Sequence, residues 1–295
     1  MYSFFKEISI LLILTILFGE LISRSFPIVP DIPVRINKEG FYMLKENQSG
    51  NYIRGKFPKW LTSKYKINNL GFVSSKDYFF DDNNEFKIAI IGDSFVEGFQ
   101  VDSDKSIGRL LENNFEKYEV YEFGFSGYNF FNYVELYKKF NLEHFKYVFI
   151  IIDANDLQSK RPEKNKFTEE IRKKELIFRK VYDNLYFFKY LNWNHNLISK
   201  LRRILDIFHL KKGINKDINS KFVDITSFSK ENPNTSWILK SKSDSILKDI
   251  YPNLSFIEIN HERIPFNFGY DQHWNLNGKY NVAETITKWI NQKKK

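Results

Sequence analysis

The chain has 295 residues, enough for one large α/β domain and an appendage around a sizeable core. Its net charge of +9 predicts a basic surface suited to anionic lipid or anionic polysaccharide; no recognised nucleic-acid-binding motif accompanies the charge, so nucleic acid is not an expected partner. There is no cysteine, which excludes disulfides, thiolate catalysis and cysteine-based metal sites.

The first element is apolar. Ile8 to Phe18 reads I-S-I-L-L-I-L-T-I-L-F. With Phe4 and Phe5 before it and Leu21 and Ile22 after it, the stretch approaches the ~20 residues a membrane helix needs. Lys6 and Glu20 lie near its ends, where they can reach toward headgroups. No Ala-x-Ala-like cleavage site comes after it. A single-pass transmembrane anchor is therefore expected over residues 1–24, with membrane contact through residues 4–22. Lys6 on one flank opposes Arg24 and Arg35 on the other, so charge bias orients it weakly. The catalytic domain is expected on the extracytoplasmic side, because short N-terminal anchors usually export the domain attached to them.

Residues 25–85 read as a connecting region. Pro27, Pro30 and Pro33 punctuate its start. Phe41 to Leu44 and Tyr52 to Arg54 suit short strands, and Lys66 to Phe72 reads as strand then turn. Asp81 to Asn84 is a polar loop before the main domain, which is expected over residues 86–295.

Within that domain the pattern alternates. Lys87 to Ile91 is a short apolar run consistent with a strand buried on both faces. Residues 104–117 place Ile107, Leu110, Leu111 and Phe115 at helical spacing. Tyr118 to Phe123 is a second strand, 129–143 a helix, and Tyr147 to Ile152 a third buried strand. Residues 157–217 form a charged, then aromatic and basic, helical insertion. Phe222 to Ile225 is a candidate fourth strand and Leu254 to Ile259 a fifth. Ser243 to Ile250 and Ala283 to Ile290 suit helices. Strand–helix alternation predicts a parallel sheet with right-handed crossovers.

Polar groups gather at the strand ends. Ser94 comes after the first strand in Gly92-Asp93-Ser94. Gly127 comes after the second in Gly-Phe-Ser-Gly-Tyr-Asn, and Asn155 and Asp156 after the third in Ile-Ile-Asp-Ala-Asn-Asp. Tyr270-Asp271-Gln272-His273-Trp274-Asn275 precedes the last helix. In an open parallel sheet the carboxyl edge is where sites form. A serine needs a base to take its proton; His273 is the candidate, with Asp271 to fix its tautomer. The backbone N–H groups of Ser94 and Gly127 and the Asn155 amide can serve a developing oxyanion. A glycine there lets the backbone approach substrate without a Cβ in the way. Asp93 is read as a cap for the adjoining helix and Asp156 as a strut. His144, His195, His209 and His261 are read as surface or packing residues.

Gly92-Asp93-Ser94, Gly127, Asn155-Asp156 and Asp271…His273 resemble, in order, the four blocks of the SGNH (GDSL-like) hydrolases, over residues 87–290. The resemblance implies a flavodoxin-like three-layer α/β/α sandwich around a central parallel sheet. It also implies Ser94 as nucleophile, Ser94, Gly127 and Asn155 as the oxyanion hole, and Asp271 and His273 completing the triad, with neither metal nor organic cofactor. Asn68 to Phe72 resembles a segment upstream of the catalytic block in membrane-anchored members. Two positions depart from the pattern. Asp153 stands where the third block usually has glycine, and the last block is Asp-x-His where Asp-x-x-His is frequent. Asp-x-His-Trp is similar to the block of some membrane-linked relatives and of alginate O-acetyltransferase relatives.

The activity this implies is a membrane-anchored serine esterase acting on O-acyl groups of a cell-surface glycan or a lipid-linked substrate. An O-acyltransferase with the same triad is the alternative, with a sugar hydroxyl replacing water. A non-catalytic glycan-binding protein on a hydrolase fold is the second alternative, and Asp153 is the feature that hints at it.

Overall fold

A computed structural model describes residues 2–38, 41–56, 59–80, 85–158, 184–198, 200, 222–260, 267–269 and 271–294. The chain divides into two compact units. The smaller contains residues 1–32, 51–62 and 165–216, and the larger contains 33–50, 63–164 and 217–295.

In the smaller unit, helix α1 spans Tyr2–Ser25. The membrane-spanning helix expected here is not found: among the described residues no helix is long and apolar enough to cross a membrane. Charged residues stand near both ends of α1, Lys6 and Glu7 at its start and Glu20 and Arg24 toward its end, and confine its uncharged stretch to residues 8–19. Glu20 ends it for a structural reason. Its carboxylate accepts the backbone N–H groups of Tyr186 (3.1 Å) and Phe187 (2.9 Å), which open a helix at Tyr186–His195. A negative charge is favourable at a helix N-terminus, so Glu20 caps this helix. Phe187 packs against Gly19, where a Cβ would lie 2.7 Å from the ring. Trp193 of the same helix donates to the Ile53 carbonyl (2.7 Å) and meets the Tyr52 ring edge-on. Arg172 to Lys174 and most of the expected insertion, residues 159–183 and 201–221, lie outside the described residues.

In the larger unit, β1 (Arg35–Lys38) and β2 (Phe41–Leu44) form an antiparallel pair. Strands β3 (Gln48–Lys56) and β4 (Lys59–Ile67) form a second two-stranded sheet. The main domain comes next: β5 (Lys87–Gly92), α2 (Ser94–Glu97), α3 (Ile107–Asn114), β6 (Glu119–Gly124), α4 (Phe130–Lys139), β7 (Tyr147–Ile152) and α5 (Ala154–Gln158). With the Tyr186–His195 helix taken as α6, the chain continues through α7 (Thr226–Glu231), β8 (Thr235–Leu239), α8 (Ile246–Ile250), β9 (Phe256–Glu258) and α9 (Leu276–Lys293).

The five core strands pair in the order β6-β5-β7-β8-β9, all parallel. Counted from β5, this is the flavodoxin-like order 2-1-3-4-5, with its switch point between the first and third strands. The strands are apolar on both faces because both faces are covered. Ile88, Ile90, Val120, Phe149, Ile151 and Ile238 pack with α3 and α9 on one side. Phe130 of α4, Phe228 of α7 and Trp237 of β8 pack together on the other. The three-layer α/β/α expectation is met.

One detail differs from expectation. Phe222 to Ile225 is not a strand; the fourth strand is Thr235–Leu239. Its register against β7, Val148 to Thr235 through Ile152 to Leu239, buries Trp237, Ile238 and Leu239. The connecting region in this unit carries the strand and turn read at Lys66 to Phe72. Asn68, fully buried, accepts the backbone N–H groups of Leu70 and Phe72 (3.0 Å each) and closes a turn. Gly71 sits at φ +82, and a Cβ there would lie 2.5 Å from the Leu44 carbonyl. The turn delivers Phe72 onto Phe123, and the Tyr78 hydroxyl accepts the Glu122 N–H (2.8 Å). The open edge of β6 is thereby covered, which protects it from stray strand pairing.

Candidate active site

The site begins where β5 stops. Its last residue, Gly92, has no room for a side chain: a Cβ would lie 2.4 Å from Val96 Cγ2. Gly124, at the end of β6, is tighter, with 2.2 Å between an added Cβ and the Glu97 backbone nitrogen. The two glycines let the short helix α2 sit directly on the strand ends. Asp93 starts it, with its Oδ1 accepting the Phe95 N–H (3.0 Å), the capping role expected of it. Ser94 is the first helical residue and is partly exposed.

The Ser94 hydroxyl lies 2.8 Å from His273 Nε2, and His273 Nδ1 lies 2.5 Å from Asp271 Oδ1. Ser94 and His273 are 179 positions apart in sequence, yet with Asp271 they form one continuous hydrogen-bonded line. The shortened Asp-x-His spacing has a clear geometry. Asp271 Oδ1 accepts both the backbone N–H of His273 (2.9 Å) and the imidazole, so one carboxylate oxygen fixes the turn and the ring together. Asp271 is only 4% exposed. The loop is pinned on both sides. Asn267 bridges Trp274, and Asn275 caps α9 by accepting the Gly278 N–H (3.0 Å). Phe95 packs on the imidazole (4.8 Å between centroids) and edge-on against Trp274. Tyr270 and His261 lie outside the described residues, as does His209. His144 is exposed, and His195 packs edge-on against Tyr190.

Gly127 and Asn155 lie beyond the ends of β6 and β7, the strands on either side of β5. Gly127 is exposed at φ +87, a left-handed conformation that favours glycine, and a Cβ there would meet nothing within 4 Å. Backbone conformation, and not a steric clash with protein, selects glycine. Asn155 is exposed in the first turn of α5.

Asp153 is paired through both carboxylate oxygens. Its Oδ2 accepts from the Lys240 ammonium (2.7 Å), and its Oδ1 accepts the Asp156 N–H (3.0 Å). Asp156 returns the bond by accepting the Asp153 N–H (3.0 Å). The pair is a reciprocal cap that starts α5. Asp156 is thus the strut expected of it, and burial pushes its carboxyl up to about 7. Lys240 is not legible as a site residue from sequence because it comes after β8, the strand that the sequence pattern misplaces. The available signal is the apolar run Trp237-Ile238-Leu239 ending in a polar residue, as the other site strands do.

A second unanticipated group is Glu97, 2% exposed behind the Gly127 loop. Ser126 donates its hydroxyl to Glu97 Oε2. Burial pushes the Glu97 carboxyl up to about 7, against the lowering effects of Ser126 and Arg35.

No protein-family model and no curated protein matches the chain. Among solved structures it is similar to a G-D-S-L family protein from Desulfitobacterium hafniense DCB-2 (12% identity, TM-score 0.36, 69% of this chain and 98% of the other). It is also similar to a member of the lipolytic protein G-D-S-L family from Veillonella parvula DSM 2008 (11% identity, TM-score 0.34, 68% and 96%).

Glu97 yields a pH signature. The folded protein holds this proton up to about pH 7, whereas an ordinary glutamate releases it near 4.5. Its contribution is therefore fully present below pH 4.5 and is lost as pH rises toward 7. Glu97→Gln should remove that loss. In urea unfolding at the two ends of this window, wild type should lose about 3 kcal/mol more stability than the variant. Asp156 titrates in both proteins, so it cancels from the comparison. Equal losses would show that Glu97 does not carry the proton.

Proposed function

We propose that the chain is a serine hydrolase of the SGNH type that cleaves acyl esters through an acyl-enzyme at Ser94. The observation that carries this reading is the continuous Ser94–His273–Asp271 hydrogen-bonded line, 2.8 Å and 2.5 Å long at its two contacts. His273 Nε2 takes the hydroxyl proton as Ser94 Oγ bonds to the ester carbonyl carbon. Asp271, bonded at Nδ1, holds the tautomer that leaves Nε2 free to accept and stabilises the imidazolium. The oxyanion is received by the N–H groups of Ser94 and Gly127 and by the Asn155 amide. The tetrahedral intermediate collapses by breaking the bond to the alcohol oxygen, which leaves with the proton from His273. Water then repeats the sequence with His273 as base, releasing the carboxylic acid and restoring Ser94.

The substrate class is an O-acylated glycan or lipid-linked molecule. The net charge of +9 supports an anionic surface or polymer as its setting. A sugar hydroxyl in place of water would make the same triad an O-acyltransferase. The glycan-binding alternative loses the feature that suggested it, because Asp153 is bonded to Lys240. Residues 4–22 contact lipid in this reading. The support is α1, where Leu11 and Phe18 are each 65% exposed and apolar side chains lie all round the helix.

Ser94→Ala in the full chain should lower kcat for p-nitrophenyl acetate by at least about 10,000-fold, with the fold retained by circular dichroism. Retained activity would remove Ser94 from the mechanism. Product analysis with a deacetylated oligosaccharide present separates free acid, the esterase product, from acylated sugar, the transferase product. For lipid contact, the full chain should float with phosphatidylglycerol–phosphatidylcholine vesicles, and Leu11→Asp with Leu14→Asp should release it. Equal flotation of wild type and variant would dismiss α1 as the contact.

A further inference from the structure

Lys240 stands after β8 as Ser94 stands after β5, Gly127 after β6 and Asn155 after β7. Only 4% of its side chain is exposed. Its Nζ lies 2.8 Å from Asp93 Oδ2, 2.7 Å from Asp153 Oδ2 and 3.8 Å from Asp156 Oδ2. Each short contact reaches a turn that carries a proposed catalytic group. Asp93 immediately precedes Ser94, and its other oxygen caps α2 at Phe95. Asp153 starts α5 through its other oxygen, and Asn155 lies inside the cap it forms with Asp156.

We propose that Lys240 is a positioning residue for the acyl-transfer step: its ammonium clamps the Ser94 turn to the Asn155 turn and fixes nucleophile and oxyanion donor relative to each other. This rests on the reading of Ser94 as nucleophile.

The chemistry of the cluster explains why a lysine stands there. Three carboxylate groups come within 4.8 Å of one another, and they repel unless a cation lies between them. A buried ammonium is equally unfavourable without anions. Burial works against the charge on Lys240, but Asp93, Asp156 and Asp153 outweigh it and hold its pKa above the ordinary lysine value. The clamp is therefore charged at neutral pH. The ammonium is a compact charge with three donors, so it reaches both turns at once. It also lies 4.7 Å from the centre of the Phe95 ring, which in turn packs on His273. The other titratable groups facing the cluster are the Tyr133 hydroxyl from α4, the buried Glu97 of α2, which Asp93 repels, and Asp244, which accepts the Ala154 N–H (3.2 Å). None supplies a positive charge, and among the described residues Lys240 is the cation paired with these three carboxylates.

The test compares Lys240→Met, Asp153→Asn and Ser94→Ala as full chains hydrolysing p-nitrophenyl acetate, with active sites counted by fluorophosphonate titration. Lys240→Met should lower kcat per titrated site about 100-fold with KM little changed, the scale of an ångström-level misplacement. It should also move the acid limb of the kcat/KM profile to higher pH, because unbalanced carboxylates favour the protonated imidazole. Asp153→Asn removes one negative charge and should move that limb to lower pH while lowering kcat. A lysine that only supports folding would reduce the yield of active sites and leave kcat per site and both limbs unchanged; that result overturns the proposal. Where Lys240→Met does not fold, Asp153→Asn decides by the same two readouts. Activity surviving in Ser94→Ala overturns the nucleophile reading and this proposal with it. A dead Ser94→Ala beside an unaltered Lys240→Met overturns the clamp alone.

Discussion

The close approach of α2 to the ends of β5 and β6 is the constraint on which the site depends. A parallel strand buried on both faces has to surrender its polar groups at its carboxyl end. Here that end is closed by a helix lying directly on the strands, and Gly92 and Gly124 are the positions that permit it. Asp93 secures the arrangement: it caps α2 with one oxygen and turns the other toward the neighbouring strand ends. Ser94 is then presented at the rim and not buried beneath it. Without those two glycines, α2 would ride away from the sheet and the 2.8 Å contact to His273 would open.

From that turn the neighbouring strand ends are organised in layers. The rim carries the Ser94–His273 contact, and Gly127 and Asn155 lie beyond the ends of β6 and β7. Beneath it, the carboxylates of Asp93, Asp153 and Asp156 surround the Lys240 ammonium. Such a buried cluster is expensive in desolvation, and its benefit lies in geometric specificity more than in net stability. Strands β5, β7 and β8 meet through it at one edge. Phe95 joins the layers by lying between the lysine and the imidazole.

Much of this is legible in the sequence because the local chemistry is strict. Strands β5 and β7 are apolar runs and β6 is one broken by Glu122; each ends at Gly or a polar residue, and their limits can be read to within a residue or two. Ser94, Asp271 and His273, picked out from separate motifs, lie in one hydrogen-bonded line. Strand β8 escapes because Thr-Ser-Trp-Ile-Leu has only three apolar residues and comes directly after Asn232-Pro233-Asn234, which reads as a loop. The misplacement hides Lys240, and with it the reason that Asp153 can replace glycine. The Asp153 carboxylate looks like a liability only while its partner, 87 positions away, is unseen. Helix α1 is overread for a similar reason. Its apolar run is plain, but the role of Glu20 as a cap for α6 is a contact across 166 positions that no local pattern carries.

The most direct test of the account is to map the site of covalent modification. The full chain is treated with a fluorophosphonate, digested and sequenced by mass spectrometry, with His273→Ala run beside it. The account predicts a single adduct on the Ser94 hydroxyl in the wild type and none in His273→Ala over the same time. A folded protein that hydrolyses esters while Ser94 stays unmodified, or that carries its adduct on another serine, would contradict it.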